Sequence, residues 1–368
     1  MKIKEYRLEQ NTEQTLLSAV IGGHELWFSF PPTFCVPRPG DVFVAAAVMP
    51  AMLLGEPLEV DPSLPVSRKL LKGLETVQSV FSCWYPMLRK IEIHAQAEEG
   101  NPSNGGVGSF FSGGVDSGYT FLKHADEISH LIFVKGIDMQ LENESLFRES
   151  LEITRKIAEH YRKTLVPVAS NVRFFGRSFK PLNWTIYQGA GLASVALALG
   201  FRKIYVASTH TYAELFPWGS HPLTDPLWSS EGTEIVHDAA DASRGDKLRR
   251  IISDEVLFQN LRVCWQDSGY NCGRCEKCLR TMAGLRALGV ATPSLPHLGS
   301  VGPIKRLRID GPSELTYCED ELKLARDSGD TPLMRALQRC ILRYHTRHWL
   351  VDVDKLLFSG RLKRLFGA

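Results

Sequence analysis

Apolar and polar positions alternate first in two strand-like runs, Thr15–Ile21 and His24–Phe30, joined at Gly22-Gly23. Pro31, Pro32, Pro37 and Pro39 break that pattern, and an apolar stretch follows from Val42 to Leu54. Leu58-Glu59-Val60 reads as a short strand. Leu70, Leu71, Leu74, Val77 and Val80 recur at helical spacing and predict an amphipathic helix over 67–80. Arg89–His94 alternates like another strand. From Gln96 to Gly106 the chain is polar and glycine-rich, the composition of a linker.

Beyond that linker, strand and helix patterns take turns. Strands are expected at 107–111, 130–137, 164–169 and 203–208, and helices at 118–128, 144–161 and 184–199, the last with Asn183 as N-cap. Such alternation predicts an α/β fold, a doubly wound parallel sheet with ligands at the C-terminal strand ends. Gly136-Ile137-Asp138 and Ser208-Thr209-His210 fall at two of those ends. Thr209–Asp238 reads as a long irregular segment whose four large aromatics argue for a packed pocket wall or lid; the bland alternative is a surface Ω-loop. A helix over 242–257, a short strand Leu261–Cys264 and a helix over 277–288 are expected next. Residues 296–368 read as basic helical stretches ending in an amphipathic tail. Three regions follow: a small N-terminal α+β domain (1–98), a nucleotide-type domain (107–295) and a helical extension (296–368).

Composition narrows the classes. The 368 residues are 44% hydrophobic and 23% charged, enough for two cores, and the net charge of +2 provides no general attraction for nucleic acid. The N-terminus lacks an apolar signal region and no run is long enough to span a bilayer, so a cytoplasmic location is expected, with no membrane partner. His24, His94, Cys35, Cys318 and Cys340 read as structural.

Two stretches carry chemistry. The first is Ser112-Gly113-Gly114-Val115-Asp116-Ser117, between a strand and a helix. Glycines without Cβ atoms let an anion approach the main chain, the helix N-terminus favours negative charge, and both serines add donors. Asp116 suits Mg2+ or the turn itself. A Walker P-loop is excluded, because no Lys stands at its spacing. The alternative is a plain glycine-rich strand-to-helix turn. The second stretch is Cys264-x7-Cys272-x2-Cys275-x2-Cys278, the ligand type and spacing of a tetrahedral Zn2+ site. An iron–sulfur cluster or buried free thiols are its alternatives.

The hexapeptide resembles the pyrophosphate loop of the N-type ATP pyrophosphatases. Together with Cys272-Gly-Arg-Cys-Glu-Lys-Cys278 it is similar to 7-cyano-7-deazaguanine synthase and its relatives, over about residues 107–289. That resemblance implies an adenine nucleotide alpha hydrolase-like fold, ATP phosphates on Ser112–Ser117, and structural zinc on the four cysteines. After the fourth strand the chain departs from the family, with Ser208-Thr-His-Thr-Tyr and Trp218-Gly-Ser-His-Pro, so another substrate than 7-carboxy-7-deazaguanine is expected.

The expected activity is an ATP-dependent C–N ligase. It adenylates a carboxylate or carbonyl oxygen of a small molecule or peptide, and ammonia or an amine then displaces AMP. A partner supplying ammonia and a homo-oligomer fit that expectation. Asp116, Ser117, His210, His221 and Asp225 are the candidate catalytic residues, with Glu214 beside them. Gly136, Ile137 and Ser208 join Ser112–Ser117 as candidate nucleotide contacts. A tRNA-modifying sulfurtransferase and a non-catalytic nucleotide-binding module are the alternatives.

Overall fold

The computed structural model describes residues 1–100, 102–266 and 268–358, and of 352–358 the backbone alone; the tail read over 356–368 lies largely outside these residues. The chain forms two compact units, Met1–Ala242 and Ser243–Ala368.

The first unit opens with β1 (Ile3–Gln10), β2 (Thr15–Ile21), β3 (His24–Phe30) and α1 (Pro39–Leu54). The short β4 (Leu58–Glu59) and β5 (Val66–Ser67) lead to α2 (Arg68–Trp84), and β6 (Ile93–His94) and β7 (Ala97–Glu98) follow. The alternating part comprises β8 (Val107–Phe110), α3 (Val115–Lys123), β9 (His130–Lys135), α4 (Glu144–His160), β10 (Thr164–Ser170), α5 (Val172–Ser178), α6 (Trp184–Leu199), β11 (Lys203–Ala207) and β12 (Glu234–Asp238). One eight-stranded mixed sheet runs β1-β2-β3-β10-β9-β8-β11-β12, so the fold is α/β. Its last five strands are parallel, and their order reverses between β8 and β11.

Residues 1–98 therefore do not stand apart. β3 pairs antiparallel with β10 through Ser29–Ala169 and Phe28–Ser170. That short ladder is extended by side chains: Ser170 Oγ donates to Trp27 O (2.7 Å), and Asn171 accepts from Trp27 N (2.9 Å) and donates to Glu25 O (2.8 Å). β1 closes the sheet as an almost wholly exposed edge rich in Lys, Glu and Arg, which discourages edge pairing. The apolar run at 42–54 is α1, buried on every side from Gly40 to Met52 and packed on α6. Pro50 inside it cannot donate to Ala46 O; the buried Tyr187 hydroxyl donates there instead, at 2.9 Å. The stretch read as a linker is likewise tied down: Asn104 Nδ2 donates to Cys35 O and Leu199 O, both at 2.7 Å.

The second unit is helical: α7 (Arg244–Ile252), α8 (Glu255–Gln259), α9 (Glu276–Ala287), α10 (Gly302–Lys305), α11 (Pro312–Asp327) and α12 (Thr331–Phe358). The single helix expected over 242–257 is broken at Asp254, which caps α8 by accepting from Leu257 N. No strand forms at 261–264; Asn271 takes the amides of Val263 and Cys264 there, at 2.9 and 3.1 Å. Among the described residues no helix is long and apolar enough to cross a membrane.

A buried acid makes this unit pH-sensitive. Glu321 on α11 is 1% exposed, and neither carboxyl oxygen has a hydrogen-bond partner among the described residues. Burial pushes its pKa up to about 8, against the pull of Arg244 and Arg280. In the folded state it therefore keeps its proton where the unfolded chain has lost it. Its contribution to stability is present at acid pH and disappears as pH rises through about 8, a swing on the order of 5 kcal/mol. Chemical denaturation from pH 5 to 9 is expected to show that decline in the wild type, and Glu321→Gln is expected to flatten it.

Candidate functional site

The hexapeptide forms a tight turn between β8 and α3. Phe111 N still bonds Ile132 O (2.8 Å), and the chain then swings through Gly113 at φ +78°, where a side chain is strained. Gly114 is extended and is the N-cap of α3, with Gly118 N closing the first turn onto its carbonyl at 2.9 Å. The helix thus begins three residues earlier than its periodicity suggests, and Asp116 and Ser117 lie in its first turn. Ser112 and Ser117 hold the turn's shape: Ser117 Oγ accepts from Ser112 N (3.2 Å) and lies 3.3 Å from Ser112 Oγ. Gly136, at φ +94°, and Ile137 follow the neighbouring strand β9, and Ser208 follows β11 on the other side.

A residue that sequence reading passed over fixes α3. Asp238 ends β12 and accepts from Thr120 Oγ1 (2.9 Å) and Lys123 Nζ (3.0 Å), with His124 Nε2 also at 3.0 Å. Burial works to raise its pKa, but the hydrogen bonds from His124, Lys123 and Thr120 prevail and hold it below the usual range. Asp238→Ala is expected to cost about 2–3 kcal/mol in denaturant unfolding, because Thr120, Lys123 and His124 lose a shared buried partner.

β12 itself was read as part of the irregular segment, so that segment ends at 233 rather than 238. What precedes it is ordered by packing. Gly219 lies against α6: its N–H donates to Thr185 O (2.8 Å), and a Cβ on Gly189 would come within 2.1 Å of Gly219 O. From the N-terminal region, Tyr85 Oη donates to Pro217 O (3.0 Å) and the Trp84 ring packs 4.9 Å from His221. Trp84 thereby supports His221, which lines a small cavity with Ser208, His210, Phe216, Trp218 and His237.

The candidate catalytic residues thus fall in two places. Asp116 and Ser117 are on the glycine turn. His210 and His221 line the loop cavity, and Asp225 is buried behind it. Asp225 accepts from Ser220 Oγ (2.6 Å), His221 N (3.1 Å) and the His237 ring at Nδ1 (2.7 Å). Burial, reinforced by His237, lowers the pKa of His221 against the pull of Asp225. Glu214 accepts from Thr211 Oγ1 (2.8 Å), which ties it within its own turn. His237 was missed with its strand; the β-branched Ile235-Val236 before a His-Asp pair was the available signal.

In the second unit the four cysteines converge. Their sulfurs all lie within 4.8 Å of one another, with Cys264–Cys275 at 3.8 Å and Cys272–Cys278 at 3.9 Å. A tetrahedral ion with metal–sulfur bonds of about 2.3 Å needs edges of about 3.8 Å, so the set fits a metal such as zinc. Backbone amides point at sulfur: Gln266 N to Cys264 (3.3 Å), Cys275 N to Cys272 (3.2 Å) and Cys278 N to Cys275 (3.5 Å). With the four sulfurs alone, Cys275 is drawn down to about 5, first by its hydrogen bond with Cys278. Cys278 is pushed far up by that same bond and by burial, so one thiolate forms readily while its neighbour retains its proton. Two nearby cations are engaged with other groups. Arg280 stacks 3.5 Å from Tyr317 and pairs with Glu276, while Lys277 lies 5.2 Å over Trp265.

No family model, no curated protein and no solved structure matches this chain.

Proposed function

We propose that this protein is an ATP-dependent C–N ligase that forms AMP and pyrophosphate. The observation that carries this reading is the Ser112–Ser117 turn. It joins β8 to the N-terminus of α3 beside the point where strand order reverses, between β8 and β11. In doubly wound sheets, ligands bind outside the strand ends at such a switch point. Ser112 and Ser117 would donate to the phosphates of ATP, Gly113 and Gly114 would admit them to the main chain, and Asp116 would hold Mg2+. Bound Mg2+ supplies charge neutralisation on the phosphates.

A carboxylate or carbonyl oxygen of the acceptor attacks the α-phosphorus and pyrophosphate leaves. Ammonia or an amine then displaces AMP. Gly136, Ile137 and Ser208, at the flanking strand ends, would border the nucleoside. The cysteine cluster would hold one structural Zn2+, since all four positions are filled by sulfur and none is left for a substrate.

Incubation with ATP, Mg2+ and pools of candidate acids tests the reading, with AMP and pyrophosphate expected. ADP and phosphate as sole products would overturn it.

A further inference from the structure

The Asp225–His237 pair has the features of a proton acceptor, and nothing in the adenylation step uses it. His237 is the fourth residue of β12, and its side chain is 4% exposed. Nδ1 lies 2.7 Å from Asp225 Oδ2, so Nδ1 carries the proton of the neutral ring, since a carboxylate can only accept. That leaves the lone pair on Nε2. Nε2 is buried and has no hydrogen-bond partner among the described residues. The ring is among the residues lining the loop cavity. A buried acceptor is seldom left without a donor, which suits a group kept for a ligand.

The same cavity offers the complementary group. His221 Nδ1 accepts from Leu223 N at 3.0 Å, so the proton of its neutral ring sits on Nε2 and can donate. One imidazole acceptor and one imidazole donor thus share a cavity with the rings of Phe216 and Trp218. Its place in the sheet is also fixed. His237 pairs with Val206, one residue beyond the Tyr205–Ser109 pair that joins β11 to β8. Two strand spacings, about 10 Å, therefore separate it from the strand end that carries the glycine turn.

We propose that His237, positioned by Asp225, accepts the proton of the nitrogen nucleophile in the second half-reaction, a role that rests on the ligase reading above. The amine nitrogen attacks the adenylated carbon. As the N–C bond forms, one N–H proton passes to His237 Nε2. The C–O bond to the phosphate breaks, and AMP leaves with the electron pair. His237 then returns its proton to solvent. Asp225 holds the ring in the right tautomer and stabilises the transient imidazolium.

Two measurements on the full chain test this. In 15N-histidine NMR at neutral pH, the resonance lost in His237→Gln is expected to report a protonated Nδ1 and a bare Nε2, and Asp225→Asn is expected to disturb that tautomer. A protonated Nε2 in the wild type would overturn the proposal. In the second, AMP formation is followed with a deproteinised small-molecule cell extract as acceptor source and ammonium chloride as nucleophile. His237→Gln is expected to be at least 10²-fold slower than wild type. Hydroxylamine, a weaker base whose nitrogen gives up its proton to water more readily once the N–C bond forms, is expected to restore it to within about tenfold. An undiminished rate, or a loss that hydroxylamine does not restore, would count against His237. No AMP from the wild type with either nucleophile would instead overturn the ligase reading, and the proton assignment would then be decided by the NMR result.

Discussion

Cys272→Ser is expected to abolish about one tightly bound zinc ion per chain, measured by elemental analysis, and to remove the cooperative unfolding of Ser243–Ala368. The size of the effect follows from what the metal would replace. Between the end of α8 at Gln259 and the start of α9 at Glu276, the described residues contain neither helix nor strand. Order there depends on Asn271, which bonds Leu261 O and Ser294 O at 2.8 Å each, on Tyr270, whose hydroxyl donates to Asn260 O at 2.7 Å, and on the four sulfurs. Structural zinc contributes on the order of 10 kcal/mol in small domains, far more than Asn271 can supply. Because ligation needs thiolates, acidification is expected to release the metal, and binding to release protons measurable by calorimetry in buffers of different ionisation heat. Wild-type protein without metal, or with iron and visible absorption from an anaerobic preparation, would remove the zinc assignment.

The second large effect is expected at Asp116. Asp116→Asn should lower AMP formation by about 10²–10³-fold, since it would weaken the hold on Mg2+ where charge develops on the transferring phosphate. Folding should change by less than about 1 kcal/mol, because the lost carboxylate lies in the first turn of a helix that Asp238 anchors independently. Steady-state assays at varied MgATP, beside thermal unfolding of the same preparation, separate the two. An Asp116→Asn protein that forms AMP at the wild-type rate would exclude this residue from the phosphate site.

How far the sequence reached depends on the range of each interaction. Most strands and helices of the alternating part were legible because period-2 and period-3.6 patterns are local, whereas α5 was not anticipated. Boundaries slipped where capping decides them: α3 begins at Val115 because Gly114 is extended, and α8 begins after Asp254 because its carboxylate takes Leu257 N. α1 left no periodic trace, since a helix buried on every side has no polar face to mark it. β12 was hidden behind the 26 residues that separate it from β11, and its role is visible only in its parallel ladder with that strand.

Sequence alone determined the local clusters that short spacing can specify. A Ser-Gly-Gly-Val-Asp-Ser turn and a Cys-x2-Cys-x2-Cys set bring their own atoms together, because a few residues of backbone can reach no further. Tertiary structure decided what distant segments share. It joined the first three strands to β10, set Trp84 against His221, and seated Asp225 on His237 and Asp238 on α3. Those contacts link residues from about a dozen to more than a hundred positions apart, and side-chain spacing along the chain carries no record of which partner the folded sheet will supply.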